Sequence, residues 1–160
     1  MRGLVQRVVS ASVTVADLQD RGGDDAGVAS QRITVGQIGA GLCVLVGVSH
    51  DDTVDHARKL AEKIWHLRVM DDAAGVMNLS VAETTKALLV ISQFTLYGNT
   101  TGGRRPSWIA AARPEVAEPL VAAVVDHLRS LGAQVATGKF RTEMQVSLVN
   151  DGPVTLMVEV

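Results

Sequence analysis

Three stretches of the chain carry residue types able to do chemistry. The first is "SQFT", Ser92 to Thr95, which ends an apolar run with a hydroxyl, an amide, an aromatic ring and a second hydroxyl. At the end of a buried strand, the backbone and side-chain donors of Ser92, Gln93 and Thr95 can converge on a ligand. The same letters also describe a strand that turns polar as it leaves a core, and both readings stand on the residues alone. No histidine or carboxylate adjoins Thr95, so its hydroxyl lacks a visible activating base. The second stretch, "GNTTGGRR", sets Gly98 and Gly103 at the spacing of a phosphate-binding loop. Arg104 stands where the lysine belongs and Arg105 where the magnesium-binding hydroxyl belongs, which rejects a nucleotide-hydrolysing loop. Two arginines on a Gly-rich loop still suit a phosphate backbone, or simply solvent. The third stretch, "NDGPVT", sets Gly152 and Pro153 between two strand-like runs. Pro153 has no N–H for a ladder and fixes its own φ, so the corner is stiff. Most X–Pro bonds are trans, and the residues by themselves ask for no more than a rigid turn.

Other chemistries are excluded. His50, His56, His66 and His127 show neither HxxxH nor HExxH spacing and Cys43 stands alone, so no metal site is expected. The GxSxG nucleophile elbow is absent, and no motif implies a cofactor. A net charge of −2 lacks the signature of a protein that coats nucleic acid, so DNA is not an expected partner, whereas a small basic patch can still grip RNA. Cys43 lies in the apolar run "GLCVLVGV" and reads as a small buried hydrophobe of a reducing compartment. No run approaches the ~18 apolar residues of a membrane span. The first residues alternate like a strand and lack a signal-peptide block, so a cytoplasmic setting with no membrane partner is expected.

These groups need a scaffold built from aliphatic residues, because the chain has only two Trp, one Tyr and two Phe. Leu4–Val15 alternates as a strand, and "ADLQDRGGDDAGVASQR" lacks any period and reads as a hairpin tip. Ile33–Ile38 and Gly41–Val48 follow as strands, the second apolar on both faces and therefore central. Val54, Ala57, Leu60, Ala61, Ile64 and Leu67 fall at helical spacing behind an N-cap at Asp51 or Asp52. "DDAAGVMNLS" reads as a connecting turn, and Lys86–Gln93 as a buried strand. Pro114 opens a second helix with Ala117, Leu120, Val121, Val124 and Leu128 as its stripe. Ala133–Thr137, Met144–Val149 and Val154–Val160 close the chain as strands. The expected class is α+β: one domain over residues 1–160, with a mostly antiparallel, barrel-like or strongly curved sheet and two covering helices.

"VQRVVSASVTV", "SQFTL", "GRRPSW" and "MQVSLVNDGPVT" occur together and in this order over nearly the whole chain. In this the chain resembles the D-aminoacyl-tRNA deacylase family, which includes the D-tyrosyl-tRNA deacylases. The resemblance implies a homodimer with active sites at the interface and a cis Gly152–Pro153 bond that reaches into the partner's pocket. It further implies hydrolysis of D-aminoacyl esters on the acceptor end of tRNA, with Ser92, Gln93, Phe94 and Thr95 around the scissile bond. In this reading Thr95 is either a nucleophile or a bystander to a water activated with help from the tRNA 2′-OH. Gly152 and Pro153 form a wall against L side chains, and Arg7 holds that wall through backbone carbonyls. A wall of this kind cannot exclude glycine, so glycyl-tRNA mischarged on a non-cognate tRNA is an expected second substrate. Arg104, Arg105 and Lys139, with Arg113 and Arg141, are the expected phosphate contacts. Two departures stand out: 16–31 reads as an inserted flexible hairpin loop, and Arg141 and Thr142 follow Phe140 where the family tends to have small residues. A non-catalytic RNA-binding module of the same fold and a small-molecule esterase are the alternatives.

Overall fold

The computed structural model describes residues 1–17 and 31–160, so most of the expected 16–31 loop lies outside the described residues. The chain opens with β1 (Arg2–Ala16), β2 (Arg32–Ile38) and β3 (Gly41–Gly47), followed by α1 (Val54–Trp65). A small hairpin of β4 (Met70–Asp71) and β5 (Met77–Leu79) leads to β6 (Ala87–Ser92), α2 (Pro114–Ser130), β7 (Gln134–Thr137) and β8 (Met144–Glu159). The β4–β5 pair occupies what reads in the sequence as a plain turn segment.

β1 is the axis of the sheet. β8 pairs with it antiparallel along its length, from Arg2 opposite Glu159 to Val15 opposite Met144. The other edge of β1 is shared, with β3 on Arg2–Val8 and β2 on Ala11–Ala16, both antiparallel. β3, β6 and β7 then run parallel to one another. The sheet is therefore mixed rather than mostly antiparallel. The cause is the pair of helical crossovers: α1 carries the chain from β3 to β6 and α2 from β6 to β7, each restarting the strand in the same direction. The sheet curves until its two end strands nearly meet. A Cβ on Gly36 of β2 would lie 2.5 Å from the Thr137 carbonyl oxygen of β7, so only glycine allows that approach.

β3 and β6 are buried on both faces, and their alternation divides the core in two. Leu42, Val44, Val46, Leu88 and Val90 pack under the helices, against Leu60, Ile64, Val124 and Leu128. Cys43, Leu89 and Ile91 point the other way, into the barrel with Val8, Ala11 and Val13. Burial pushes the Cys43 thiol up to about 11. Helix α2 buries the expected stripe, with Val125 added. Helix α1 buries Ala57, Leu60, Ala61, Ile64 and Trp65, but its N-cap is Thr53 rather than Asp51 or Asp52. Asp52 accepts hydrogen bonds instead from the Met1 ammonium at 2.5 Å and the Ser49 N–H at 2.6 Å, which fasten the start of β1 to the loop before α1. No helix among the described residues is long and apolar enough to cross a membrane.

β8 holds the main departure from the sequence reading. Its two halves are not strands turned about a corner; they continue in one direction along the same neighbour. Gln6 pairs with Thr155 and Val8 with Asn150, so Asp151, Gly152, Pro153 and Val154 together stand opposite Arg7 alone. The extra backbone is expelled as an elbow.

Candidate active site

The polar segment begins where β6 runs out. Ile91 is buried, Ser92 is half-buried, and the Gln93 N–H still donates to the Val46 carbonyl of β3 at 2.7 Å. The chain then tightens into a single 3-10 turn, Phe94–Tyr97. The first N–H groups of such a turn have no carbonyl behind them. Phe94 N–H and Thr95 N–H accordingly have no hydrogen-bond partner among the described residues. Gln93 is thus committed to the sheet through its backbone, and the open donors sit one and two residues further on. The Gln93 side-chain amide donates to Thr95 Oγ1. From behind, Arg2 holds the turn by donating to the Leu96 carbonyl at 3.1 Å and stacking over the Tyr97 ring at 4.5 Å.

Ser92, Gln93 and Phe94 floor a cleft of about 630 Å³, and Thr95 stands just beyond its lining. Phe94 and Trp108 form one wall, their rings edge to face at 5.5 Å between centroids. Trp108 can reach this place because Gly98 has no Cβ, which would lie 2.4 Å from its ring. Ala112, Pro114 and Ala117, at the start of α2, form a second wall, and Phe140, Arg141 and Thr142 a third. Arg141 is the one charged residue of the lining, and no His, Asp, Glu, Lys or Cys contributes to it. Arg141 adopts φ +56°, an uncommon conformation for a residue with a Cβ. Arg104 and Arg105 lie outside the cleft, exposed on the loop closed by the Asn99–Ser107 bridge. Among the described residues, none of Arg104, Arg105, Arg113, Lys139 and Arg141 is paired with a carboxylate.

The elbow on β8 is built differently. The Gly152–Pro153 peptide bond is cis, and Gly152 has φ +132°. A Cβ there would lie 2.7 Å from Val154 Cγ2 and 2.9 Å from the Val154 nitrogen, so both the conformation and the space require glycine. Arg7 is 6% exposed beneath it. Its Nε donates to the Asp151 carbonyl at 3.3 Å and approaches the Asp151 carboxylate at 3.1 Å. Asn150 closes the base of the bulge, its Nδ2 donating to the carbonyls of Arg7 and Val154, both at 3.0 Å. Gly152 and Pro153 are exposed, and neither lines the cleft of their own chain.

With this geometry in place, relatives can be compared. The family model described as D-Tyr-tRNA(Tyr) deacylase matches residues 4–159. The chain belongs to this deacylase family. It is 53% identical to the D-aminoacyl-tRNA deacylase of Streptomyces coelicolor over the full length of both chains. It is 48% identical to that of Halalkalibacterium halodurans over 99% of each. Among solved structures, a "c-Myc DNA Unwinding Element Binding Protein" matches with a TM-score of 0.83 at 35% identity, covering 100% of this chain and 99% of the other. A probable eukaryotic D-amino acid tRNA deacylase matches with a TM-score of 0.75 at 15% identity over 99% and 98%, which shows the shared fold. As a member of the deacylase family the chain is an enzyme, a hydrolase acting on the ester bond of D-aminoacyl-tRNA.

Several residues that shape the cleft and the elbow escape the sequence reading. Trp108 lies in the quoted "GRRPSW", yet nothing in its spacing says that it folds back over Gly98. Asp71 and the Val69 carbonyl meet Arg7 across a long separation in the chain, which no local pattern reveals.

Proposed function

We propose that this enzyme works as a homodimer with active sites at the subunit interface, the elbow of one protomer entering the cleft of its partner. The carrying observation is the mismatch between the elbow's construction and its position. A heavily braced, exposed backbone projection has no cleft of its own to line, while the cleft is floored by the lightly held turn after β6. The apolar residues left exposed along β8, Val146, Val149, Leu156 and Met157, support a second copy packing there.

In the proposed reaction a water attacks the ester carbon of D-aminoacyl-tRNA. The oxyanion of the tetrahedral state is held by the Phe94 and Thr95 N–H groups, with Ser92 and Gln93 orienting the ester. Collapse breaks the acyl–oxygen bond, the tRNA oxygen takes up a proton, and free D-amino acid leaves. The cleft supplies no group that titrates near neutrality, and the side-chain contact to Thr95 is from an amide, which is no base in either orientation. These facts favour water assisted by the tRNA 2′-OH over Thr95 as nucleophile. Gly152 and Pro153 of the partner act as a wall where an L side chain would project, and glycine, lacking a side chain, passes. Arg104, Arg105, Arg113, Lys139 and Arg141 hold phosphates of the acceptor end, so affinity falls as salt rises. The free, buried Cys43 fits the reducing cytoplasm.

Ester loss from D-Tyr-tRNA and L-Tyr-tRNA tests the reading. Hydrolysis of the D ester with the L ester spared is expected. Binding without hydrolysis of either would mark an RNA-binding module, and hydrolysis of both together with simple esters an unselective esterase.

A further inference from the structure

Arg7 is held from two sides. Toward β8 it reaches the Asp151 carbonyl and carboxylate. In the opposite direction its Nη1 donates to the Val69 carbonyl at 2.8 Å and to Asp71 Oδ1, also at 2.8 Å. Val69 immediately precedes β4 and Asp71 ends it, so the second anchor is the small β4–β5 hairpin. A guanidinium that is 8% exposed at its side chain has few other places to go. Its direction is fixed by what it meets on both flanks, and the elbow's Asp151 is fixed in turn by that direction.

We propose that Asp71 is a positioning residue for stereochemical selection: through Arg7 it sets where the Asp151–Val154 elbow stands, and therefore how completely L-aminoacyl esters are refused. The proposal rests on the elbow being the selector. Asp71 touches neither the cleft nor the elbow directly; its one side-chain partner among the described residues is Arg7. The hairpin itself is anchored independently of Arg7. Asp72 Oδ1 accepts from the Ala74 N–H at 2.9 Å and the Val76 N–H at 3.1 Å, and Asp72 Oδ2 accepts from Asn78 Nδ2 at 3.3 Å. Losing the Asp71 carboxylate therefore removes a restraint on Arg7 while the hairpin stays formed.

The test compares Asp71→Ala, Asp71→Asn and Asp71→Glu with wild type in kcat/KM on D-Tyr-tRNA and L-Tyr-tRNA, beside thermal melting. The Asp71 side chain is 45% exposed, so the effect is moderate. Asp71→Ala is expected to raise L-ester hydrolysis about three- to tenfold, with kcat on the D ester nearly unchanged. Asp71→Asn, whose amide oxygen still accepts from Nη1, falls between, and Asp71→Glu restores most of the selectivity. A merely structural role would lower both substrates together in step with the melting temperature, and that result overturns the proposal. Arg7→Ala serves as the second arm. If Arg7→Ala relaxes selectivity and Asp71→Ala does not, the hairpin relay fails while the elbow reading survives. If Arg7→Ala also leaves selectivity intact, the elbow reading fails as well.

Discussion

Under the proposed function, the turn after β6 and the elbow on β8 are two ways of presenting backbone to a substrate. The turn is lightly held. It leaves two N–H groups without partners, exposes Phe94 and Thr95, and lines its cleft mainly with apolar groups. The elbow is the reverse, with Arg7 donating to its Asp151 carbonyl, Asn150 to its Val154 carbonyl, and Gly152 in a conformation that tolerates no side chain. The difference fits two tasks. An activated ester asks for a few open donors at the developing oxyanion, whereas refusing a mirror-image substrate asks for something that does not yield.

The sharpest way to break the contrast is to unbrace the elbow. Arg7→Ala leaves Asp71 and Asp151 facing each other without the cation, and their side chains are 45% and 48% exposed, which limits the damage. A loss of about 2 kcal/mol in chemical denaturation is expected, below the range for a fully buried pair. D-over-L selectivity should fall about 100-fold. Gly152→Ala strains the same elbow from within and is expected to cost about 1–3 kcal/mol and to admit L esters; unchanged stability in the same denaturation assay would contradict the geometry at Val154. On the cleft side, Thr95→Ala should keep kcat/KM on D-Tyr-tRNA within about tenfold of wild type, whereas a nucleophile's removal would cost orders of magnitude more. The pH–rate profile sharpens this further. With no titrating group in the cleft lining, log kcat/KM should show no bell between about pH 6 and 9 beyond the single limb set by the substrate's own α-amino group, and a second limb would expose a protein acid or base. The smallest effect is expected at the cleft wall. Arg141→Gly relieves a backbone at φ +56° and should gain about 1 kcal/mol in melting experiments while weakening tRNA binding and its salt dependence.

What the sequence discloses follows the range of the forces involved. Most of both helical stripes is readable because burial repeats locally, although Val54 at the start of α1 is exposed and Leu67 lies beyond its end, and Leu42–Val46 announces a central strand by being apolar without a break. Parallel pairing of β3, β6 and β7 is not readable, since strand direction depends on where α1 and α2 deliver the chain. The elbow is legible as stiff from Pro153 and as a family feature from "NDGPVT". That it is a bulge in one strand rather than a turn between two depends on β1, which pairs with residues on both sides of it. The motif marks Ser92–Thr95 as a segment but not which of its donors are open: the Gln93 N–H is taken by Val46, a partner far away in the chain. Asp71 was invisible for the same reason.

The most direct test of a selector that works by steric refusal uses the smallest possible difference in side chain. Ester loss should be followed from Gly-tRNA and L-Ala-tRNA carried on the same tRNA. Rapid hydrolysis of the glycyl ester with the alanyl ester spared is the expected result, because a single methyl group meets the wall. Equal hydrolysis of the two, or complete resistance of the glycyl ester, would contradict it.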